Sequence, residues 1–219
     1  MTKKLQKRVI TSIFLLSLLT LMFFYSFILI TSLMIIGIIS WIEFYALISK
    51  IFKKKNLKNT LTKFFYKSVS LLYLSALIYL IIVPKINSQY FEIVIFYTIL
   101  ISVMSDIGGF LVGKTFKGKK LSKISPNKTI SGSIGSFIFS LFLTPFFYKF
   151  FISHDFLIFI LFTLLVSLAS QVGDLLISLV KRKAKVKDTS DLLPGHGGIL
   201  DRIDGILVAL PFGLFVFNI

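Results

Sequence analysis

The sequence contains no cysteine, which excludes disulfides, iron–sulfur clusters and thiolate metal sites and leaves the redox compartment open. Acidic side chains are scarce: nine Asp and Glu stand against 25 Lys and Arg, for a formal net charge of +16. Low-complexity linkers, internal repeats and any stretch resembling a soluble domain are also missing. In a soluble protein this excess of cations would suggest nucleic acid. Here the lysines fall in short clusters between long apolar runs, which suits anionic lipid headgroups, and the fold context of a nucleic-acid binder is lacking. What the chain has in abundance is apolar surface: 56% hydrophobic residues and a mean hydropathy of +0.90 lie outside the range of soluble domains and point to a membrane protein. Phe, Ile and Lys are used so heavily throughout that they read as compositional bias, and no single Phe is assigned a role.

Apolar segments of spanning length, about 17 to 25 residues, fall near Val9–Ser26, Phe27–Ile48, Ser68–Val83, Phe91–Val112, Gly132–Phe151, Phe156–Val180 and Ile203–Asn218. The first is too long for a signal peptide and lacks a small-residue cleavage site, so it is read as a retained helix. Cations test the division independently. Lys3, Lys4, Lys7 and Arg8 precede the first segment; clusters at Lys50–Lys67, Lys114–Lys128 and Lys181–Lys187 follow the second, fourth and sixth; the alternate connections carry only Lys85 and Lys149. By the positive-inside rule the N-terminus and the basic loops are cytoplasmic and the C-terminus is outside. The expected fold is all-α: a polytopic integral membrane protein of about seven transmembrane helices whose cytoplasmic basic loops carry the site. It forms one membrane domain over residues 1–219, with N-terminal helices and a basic amphipathic loop in 1–90 and the catalytic region in 91–219. The stretch around "KIFKKKNLKNTLTKFFYKS" is expected to form an interfacial amphipathic helix.

Lipid offers a carboxylate no partner, so acids within spanning segments mark a cavity, an ion path or a site. In the sixth segment Ser167, Ser170, Gln171, Asp174, Ser178 and Lys181 recur at three- and four-residue steps and share a helix face. Ser102, Ser105, Asp106, Gly109 and Gly113 do the same in the fourth. For the Ser and Gly positions alone, close helix packing is the simpler reading; it does not account for Asp106 and Asp174. Glu43, in "SWIEFYALI", either pairs with a cation such as Lys50, roughly two helical turns away, or lines the cavity.

"GGFLVGKT", Gly108 to Thr115, matches a phosphate-binding loop pattern, but a membrane-length helix precedes it and no soluble sheet exists to hold such a turn. What remains is a flexible cationic loop able to contact phosphates. The densest chemistry lies further on. Five of the seven aspartates fall between Asp174 and Asp204, among Lys181, Arg182, Lys183, Lys185, Lys187 and Arg202. The "PGHGG" turn, Pro194 to Gly198, permits close backbone approach to a ligand. Asp201 and Asp204, three apart, share a face at the positive end of the last helix; capping accounts for Asp204 or Asp191 equally well. Asp174 and Asp201 flank a connection that, as a hairpin, would bring them together. Hard oxygen ligands without cysteine and with one nearby histidine favour magnesium or manganese over zinc. His196 is a candidate base, phosphate ligand or hydrogen-bond donor to a carboxylate, whereas His154 reads as a solvated loop residue. Carboxylates of this kind among cations at a membrane surface suit phosphoryl or nucleotidyl transfer to lipid-borne phosphates.

"SLVKRKAKVKDTSDLLPGHGGILDRID", Ser178 to Asp204, resembles the signature of the phosphatidate cytidylyltransferase (CDP-diacylglycerol synthase) family, and the resemblance extends to "GDL" at Gly173–Leu175, "D-x-G" at Asp106–Gly108, "GKTFKGKKLSKISPNKT" at Gly113–Thr129 and, more loosely, "WIEF" around Glu43. It implies cytidylyl transfer from CTP to phosphatidic acid with divalent metal, Mg2+ or Mn2+, and release of pyrophosphate. It further implies Asp174 and Asp201 as metal ligands, with Asp204 close by as a third; Lys181, Arg182, Lys187 and Asp188 in the catalytic group; and Lys119, Lys128, Ser178, His196, Gly197, Gly198 and Arg202 in substrate binding. A membrane-embedded homodimer in the bacterial inner membrane is the implied setting. The chain departs from the family where Ser131 replaces the acid of a Lys-Thr-x-Glu-Gly pattern, and it has fewer helices at the front than many members. The alternatives are a cytidylyltransferase or CTP-dependent kinase for another lipid and, in another class, a transporter. Crowding of Asp174, Asp188, Asp201 and Asp204 at one end of the segments argues against transport.

Overall fold

The computed structural model describes residues 3–53, 56–85, 89–122, 125, 128–151, 155–195 and 197–217. They form helices α1 (Lys3–Phe24), α2 (Ser26–Ile51), α3 (Leu57–Lys85), α4 (Gln89–Phe116), α5 (Ile130–Leu141), α6 (Thr144–Phe147), a 3-10 turn at Tyr148–Phe150, α7 (Phe156–Lys183) and α8 (Leu200–Phe217). Among the described residues there is no strand; isolated β-bridges pair Lys120 with Thr129 and Leu193 with Gly197. The chain is an all-α polytopic membrane protein. Five described stretches, Phe27–Ile51, Leu57–Ile82, Phe91–Phe116, Ile130–Phe150 and Phe156–Lys183, are long and apolar enough to cross a bilayer. A 26-residue example rises about 39 Å, more than the ~30 Å hydrocarbon core.

Element boundaries depart from the sequence reading in three places. From Leu57 on, the basic stretch expected as an interfacial amphipathic helix is continuous with the third apolar segment in one helix, Leu57–Lys85, because neither Gly nor Pro interrupts it before Pro84, while its first residues, Lys50 and Ile51, end α2. The fifth segment is not one helix. It breaks after Leu141, and Pro145, which has no N–H to donate, sits in the first turn of α6. The "GGFLVGKT" stretch lies wholly within α4, where Thr115 Oγ1 returns to Leu111 O at 2.9 Å and the Lys114 ammonium sits 5.6 Å from the Phe110 ring centre. Its amides are spent in the helix, so it is no phosphate-binding loop.

The chain divides into two compact units, Met1–Ile86 with Val180–Ile203, and Asn87–Leu179 with Asp204–Ile219. In the first, α2 packs on α1 and α3. Trp41 Nε1 donates to Lys67 O at 3.2 Å, and the Lys67 ammonium lies 3.1 Å from the Tyr45 ring centre, a cation–π contact. Glu43 lies about 200° around α2 from both aromatic residues, on the buried face it shares with Ser40 and Leu47.

In the second unit α4 packs along α5 through glycine. A Cβ added at Gly132 would come within 2.8 Å of Gly109 O, and one at Gly135 within 2.5 Å of Val112 Cβ and 2.7 Å of Gly108 O. The small residues of the fourth segment therefore serve close packing, together with a buried hydroxyl network in which Ser136 donates to Ser105 O at 2.7 Å and Ser140 meets Ser167 at 3.0 Å. Asp106 is exposed, although Ser102 and Ser105 on its stripe are buried. An aromatic cluster of Tyr97, Phe151, Phe159 and Phe217, all buried, closes the other end, with the Tyr97 hydroxyl 2.7 Å from Thr163 Oγ1. Gly135→Val is expected to force α4 and α5 apart and destabilise the protein by about 1–3 kcal/mol, read as a lower melting temperature in detergent; an unchanged melt would mean that the two backbones are not in contact.

Candidate active site

In the first unit the signature segment begins where α7 ends. Val186 N–H bonds to Lys181 O and Lys185 N–H to Arg182 O, both at 3.0 Å, with Lys185 in the left-handed region at φ 58. This Schellman-type stop satisfies the last carbonyls of a helix whose final turn carries Lys181, Arg182 and Lys183, where cations oppose the negative end of the dipole. Lys181 turns inward and the next two residues are exposed.

Asp201, in the first turn of α8, gathers the segment around it. Its Oδ1 accepts from Lys181 Nζ at 2.6 Å, and its Oδ2 accepts from Thr189 N at 2.8 Å, Thr189 Oγ1 at 2.9 Å and Gly198 N at 3.0 Å. Burial raises its pKa, but the Lys181 ammonium and the two amides outweigh that, and its carboxyl lies below the usual carboxylate value. Gly197, at φ 85, leaves no space for a side chain: a Cβ there would lie 2.8 Å from Asp201 Oδ2 and 3.2 Å from Asp188 Cβ. The structure thus brings Lys181, Asp188, Gly197, Gly198 and Asp201 together, with Arg182, Lys187, Asp188 and Arg202 exposed. His196, like His154, lies outside the described residues.

Among the described residues Glu43 meets hydroxyls and amides rather than the cation considered for it. Lys50 is exposed, and the Glu43 carboxylate, on a residue only 4% exposed, instead accepts four hydrogen bonds from the signature loop. These come from Ser190 Oγ at 2.6 Å, Thr189 Oγ1 at 2.8 Å, Leu200 N at 2.8 Å and Ile199 N at 3.1 Å. Thr11 of α1 adds a bond to Pro194 O at 3.2 Å. Thr189 and Ser190 were missed from sequence. An adjacent hydroxyl pair just after Asp188 was the available signal, but nothing local tied it to a glutamate about 146 positions earlier.

In the second unit Asp174 pairs with Lys128 and accepts from Ser178 Oγ at 3.2 Å. Lys128, expected to contact phosphate, is thereby directed at a candidate metal ligand. Asp204 is buried, its Oδ1 accepts from Gly205 N at 2.9 Å, and its carbonyl stands against Gly173, next to Asp174. The loop bearing Lys119, whose side chain is exposed, is anchored by Ile130 N–H to Lys119 O at 3.0 Å. Ser131, in the place of the family's acid, donates to Lys117 O and lies 3.0 Å from Thr129 Oγ1, which accepts from Gly132 N–H as the N-cap of α5. A relay of hydroxyls therefore ties the end of α4 to the start of α5 without a carboxylate.

The family model described as the cytidylyltransferase family matches residues 1–219. The chain belongs to the cytidylyltransferase family. Among curated proteins similar to it, a Bacillus subtilis protein named phosphatidate cytidylyltransferase is 40% identical over 130 residues, covering 58% of this chain and 48% of that one. Proteins of the same name are 45% identical over 120 residues in Staphylococcus aureus strain COL, covering 53% of this chain and 46% of that one, and 38% identical over 115 residues in Helicobacter pylori strain J99, covering 52% and 43%. The chain spans about half the length of the curated relatives it matches. Of the residues that carried the resemblance in this member of the cytidylyltransferase family, Lys181, Asp188, Gly197 and Gly198 lie around Asp201 in one unit, and Lys128 and Ser178 lie around Asp174 in the other.

Proposed function

We propose that the chain transfers the cytidylyl group of CTP to phosphatidic acid, giving CDP-diacylglycerol and pyrophosphate for phospholipid biosynthesis. The proposed setting is a bacterial inner membrane, with the basic loops and the N-terminus on the cytoplasmic side and two copies forming a homodimer. The observation that carries this reading is the convergence of Lys181, Thr189 and Gly198 on the single carboxylate of Asp201, in a chain whose family and relatives carry the cytidylyltransferase name.

Charge governs the chemistry. Phosphatidic acid is a phosphate monoester with a second pKa near ~6, largely dianionic at neutral pH, so its oxygen attacks the α-phosphorus of CTP without a strong base. The bond from the α-phosphorus to the bridging oxygen breaks, and pyrophosphate leaves with the electron pair. The cations proposed to hold the polyanions and to neutralise the leaving group are Lys181, Arg182, Lys187 and Arg202 in the first unit and Lys119 and Lys128 in the second, with Lys181 and Lys128 already paired to Asp201 and Asp174. Gly197 and Gly198 leave room for the carboxylates of Asp201 and Glu43 to lie against the backbone, Asp188 lies beside Gly197, and Ser178 donates to Asp174.

The carboxylate oxygens fit Mg2+ or Mn2+. Magnesium keeps several waters and uses one or two carboxylates plus substrate phosphates, so it does not require the cluster of three His, Asp or Glu that is absent among the described residues. Of the three carboxylates proposed as ligands, Asp174 and Asp204 lie in the second unit and Asp201 in the first; those that take the ion would do so together with waters and substrate phosphates, and its contribution when bound would be neutralisation of phosphate-oxygen charge.

The test is pyrophosphate release by purified, detergent-solubilised protein supplied with CTP, phosphatidic acid and magnesium, each omitted in turn. Release that needs all three, with a CDP-lipid product, is expected. Release without lipid would replace this reading with nucleotide hydrolysis, and nucleotide-independent ion flux in vesicles would replace it with transport.

A further inference from the structure

We propose that Glu43 is a positioning residue for the signature turn: an acceptor-only carboxylate that templates residues 189–200 and, through Thr189, sets the orientation of Asp201. Its catalytic consequence rests on the cytidylyltransferase reading; its geometric content does not.

Each oxygen of Glu43 faces one hydroxyl and one backbone amide, the single Thr189 hydroxyl proton being shared between Glu43 Oε2 and Asp201 Oδ2. Oε1 takes Ser190 Oγ at 2.6 Å and Ile199 N at 3.1 Å; Oε2 takes Thr189 Oγ1 at 2.8 Å and Leu200 N at 2.8 Å. A hydroxyl can rotate to suit a new neighbour, but a backbone amide only donates. Because the two amides address different oxygens, glutamine in either flip would turn its own N–H groups on one of them. The position therefore requires two acceptors, which among side chains of this length only an ionised glutamate supplies. Its charge also lies at the positive end of α8, where Leu200 is the first helical residue.

Thr189 passes this constraint on. Its hydroxyl stands 2.8 Å from Glu43 Oε2 and 2.9 Å from Asp201 Oδ2, while its own N–H bonds to the same Asp201 oxygen at 2.8 Å. Gly198 closes the arrangement: a Cβ there would overlap Thr189 Oγ1 and come within 2.6 Å of both Glu43 oxygens. Thr189, Gly198 and Asp201 thus take their places against a side chain from α2, and displacing that side chain moves the carboxylate that pairs with Lys181.

The full chain is compared with Glu43→Gln, Thr189→Val and the double variant by hydrogen exchange, thermal melting and steady-state kinetics with CTP and phosphatidic acid. Glu43→Gln is expected to speed exchange over residues 189–203 and leave α3 and α5 unchanged. It should lower kcat about 10- to 100-fold, the usual loss when a partner of a site carboxylate is removed, with KM for CTP within about threefold. Thr189→Val, which removes only the bridging hydroxyl, should lower kcat while keeping the melting temperature, and the double variant should be no worse than the poorer single one. Unchanged exchange over 189–203, or a folded Glu43→Gln protein with wild-type kcat and a lowered melt alone, would overturn the proposal by reducing Glu43 to a packing residue. If Glu43→Gln does not fold, wild-type kcat in Thr189→Val overturns it and a lowered kcat upholds it. If the wild-type chain itself releases no pyrophosphate, the reaction reading falls, and the exchange comparison alone decides for or against Glu43.

Discussion

Asp201→Asn is expected to reduce pyrophosphate release by about a thousandfold and to destabilise the protein as well. The four donors around Asp201 divide so that one oxygen faces the Lys181 ammonium and the other faces two amides and a hydroxyl. An asparagine that keeps its oxygen toward the amides turns its NH2 on Lys181; the flipped rotamer turns it on Thr189 and Gly198. In either case a cation or an amide loses its acceptor. With side chains only 12% and 5% exposed, Lys181 and Asp201 form a buried pair, and removing one partner of such a pair costs about 3–5 kcal/mol. The activity loss has a separate origin: charge stabilisation in a desolvated site is worth several kcal/mol, and each 1.36 kcal/mol is about tenfold in rate. The two effects separate in Lys181→Met combined with Asp201→Asn, where no unpaired charge stays buried. Much of the melting temperature should return while turnover stays lost; recovery of turnover would remove Asp201 from the chemistry.

Asp174→Asn should give a loss of turnover of similar size, about a thousandfold, with little change in thermal stability. Its ion pair with Lys128 joins side chains 21% and 29% exposed, and pairs that meet water contribute about 1 kcal/mol or less. Ser178 supplies a hydroxyl able to donate to the new amide oxygen. Near-normal turnover would exclude Asp174 from the reaction, and a large drop in melting temperature would show that its pairing with Lys128 is structural. The contrast between the two aspartates, one costly to both fold and rate and the other to rate alone, is itself measurable by running both variants through the same assay and melt.

The all-α architecture was readable in the sequence because lipid enforces it: an apolar run of spanning length has to satisfy its own backbone, and five described helical stretches are long and apolar enough to cross. The crowding of Asp174–Asp204 with cations was readable for a similar reason, since an acid-poor chain has little cause to concentrate its aspartates in one place. Boundaries were less legible where apolarity and backbone chemistry disagree. The basic stretch after Leu57 looked separate from the third segment by charge yet has no residue to stop a helix, and the fifth segment looked continuous by apolarity yet contains Pro145. Glu43 shows the limit most sharply. Its partners are hydroxyls and amides 146 to 157 positions away, and amides belong to every residue, so no composition or spacing marks the ones it meets.

The glycine seam between α4 and α5 bears on how a lipid reaches this chain. Where backbone meets backbone, as at Gly109 with Gly132 and Gly108 with Gly135, no space is left for a side chain or for an acyl tail of the surrounding bilayer. The same seam acts as a fixed footing for the cationic loop that joins the two helices. Lys119 and Lys128 ride on a base whose width is set by carbonyls and α-carbons rather than by pliable side chains, so a change in what either lysine touches leaves its supports in place.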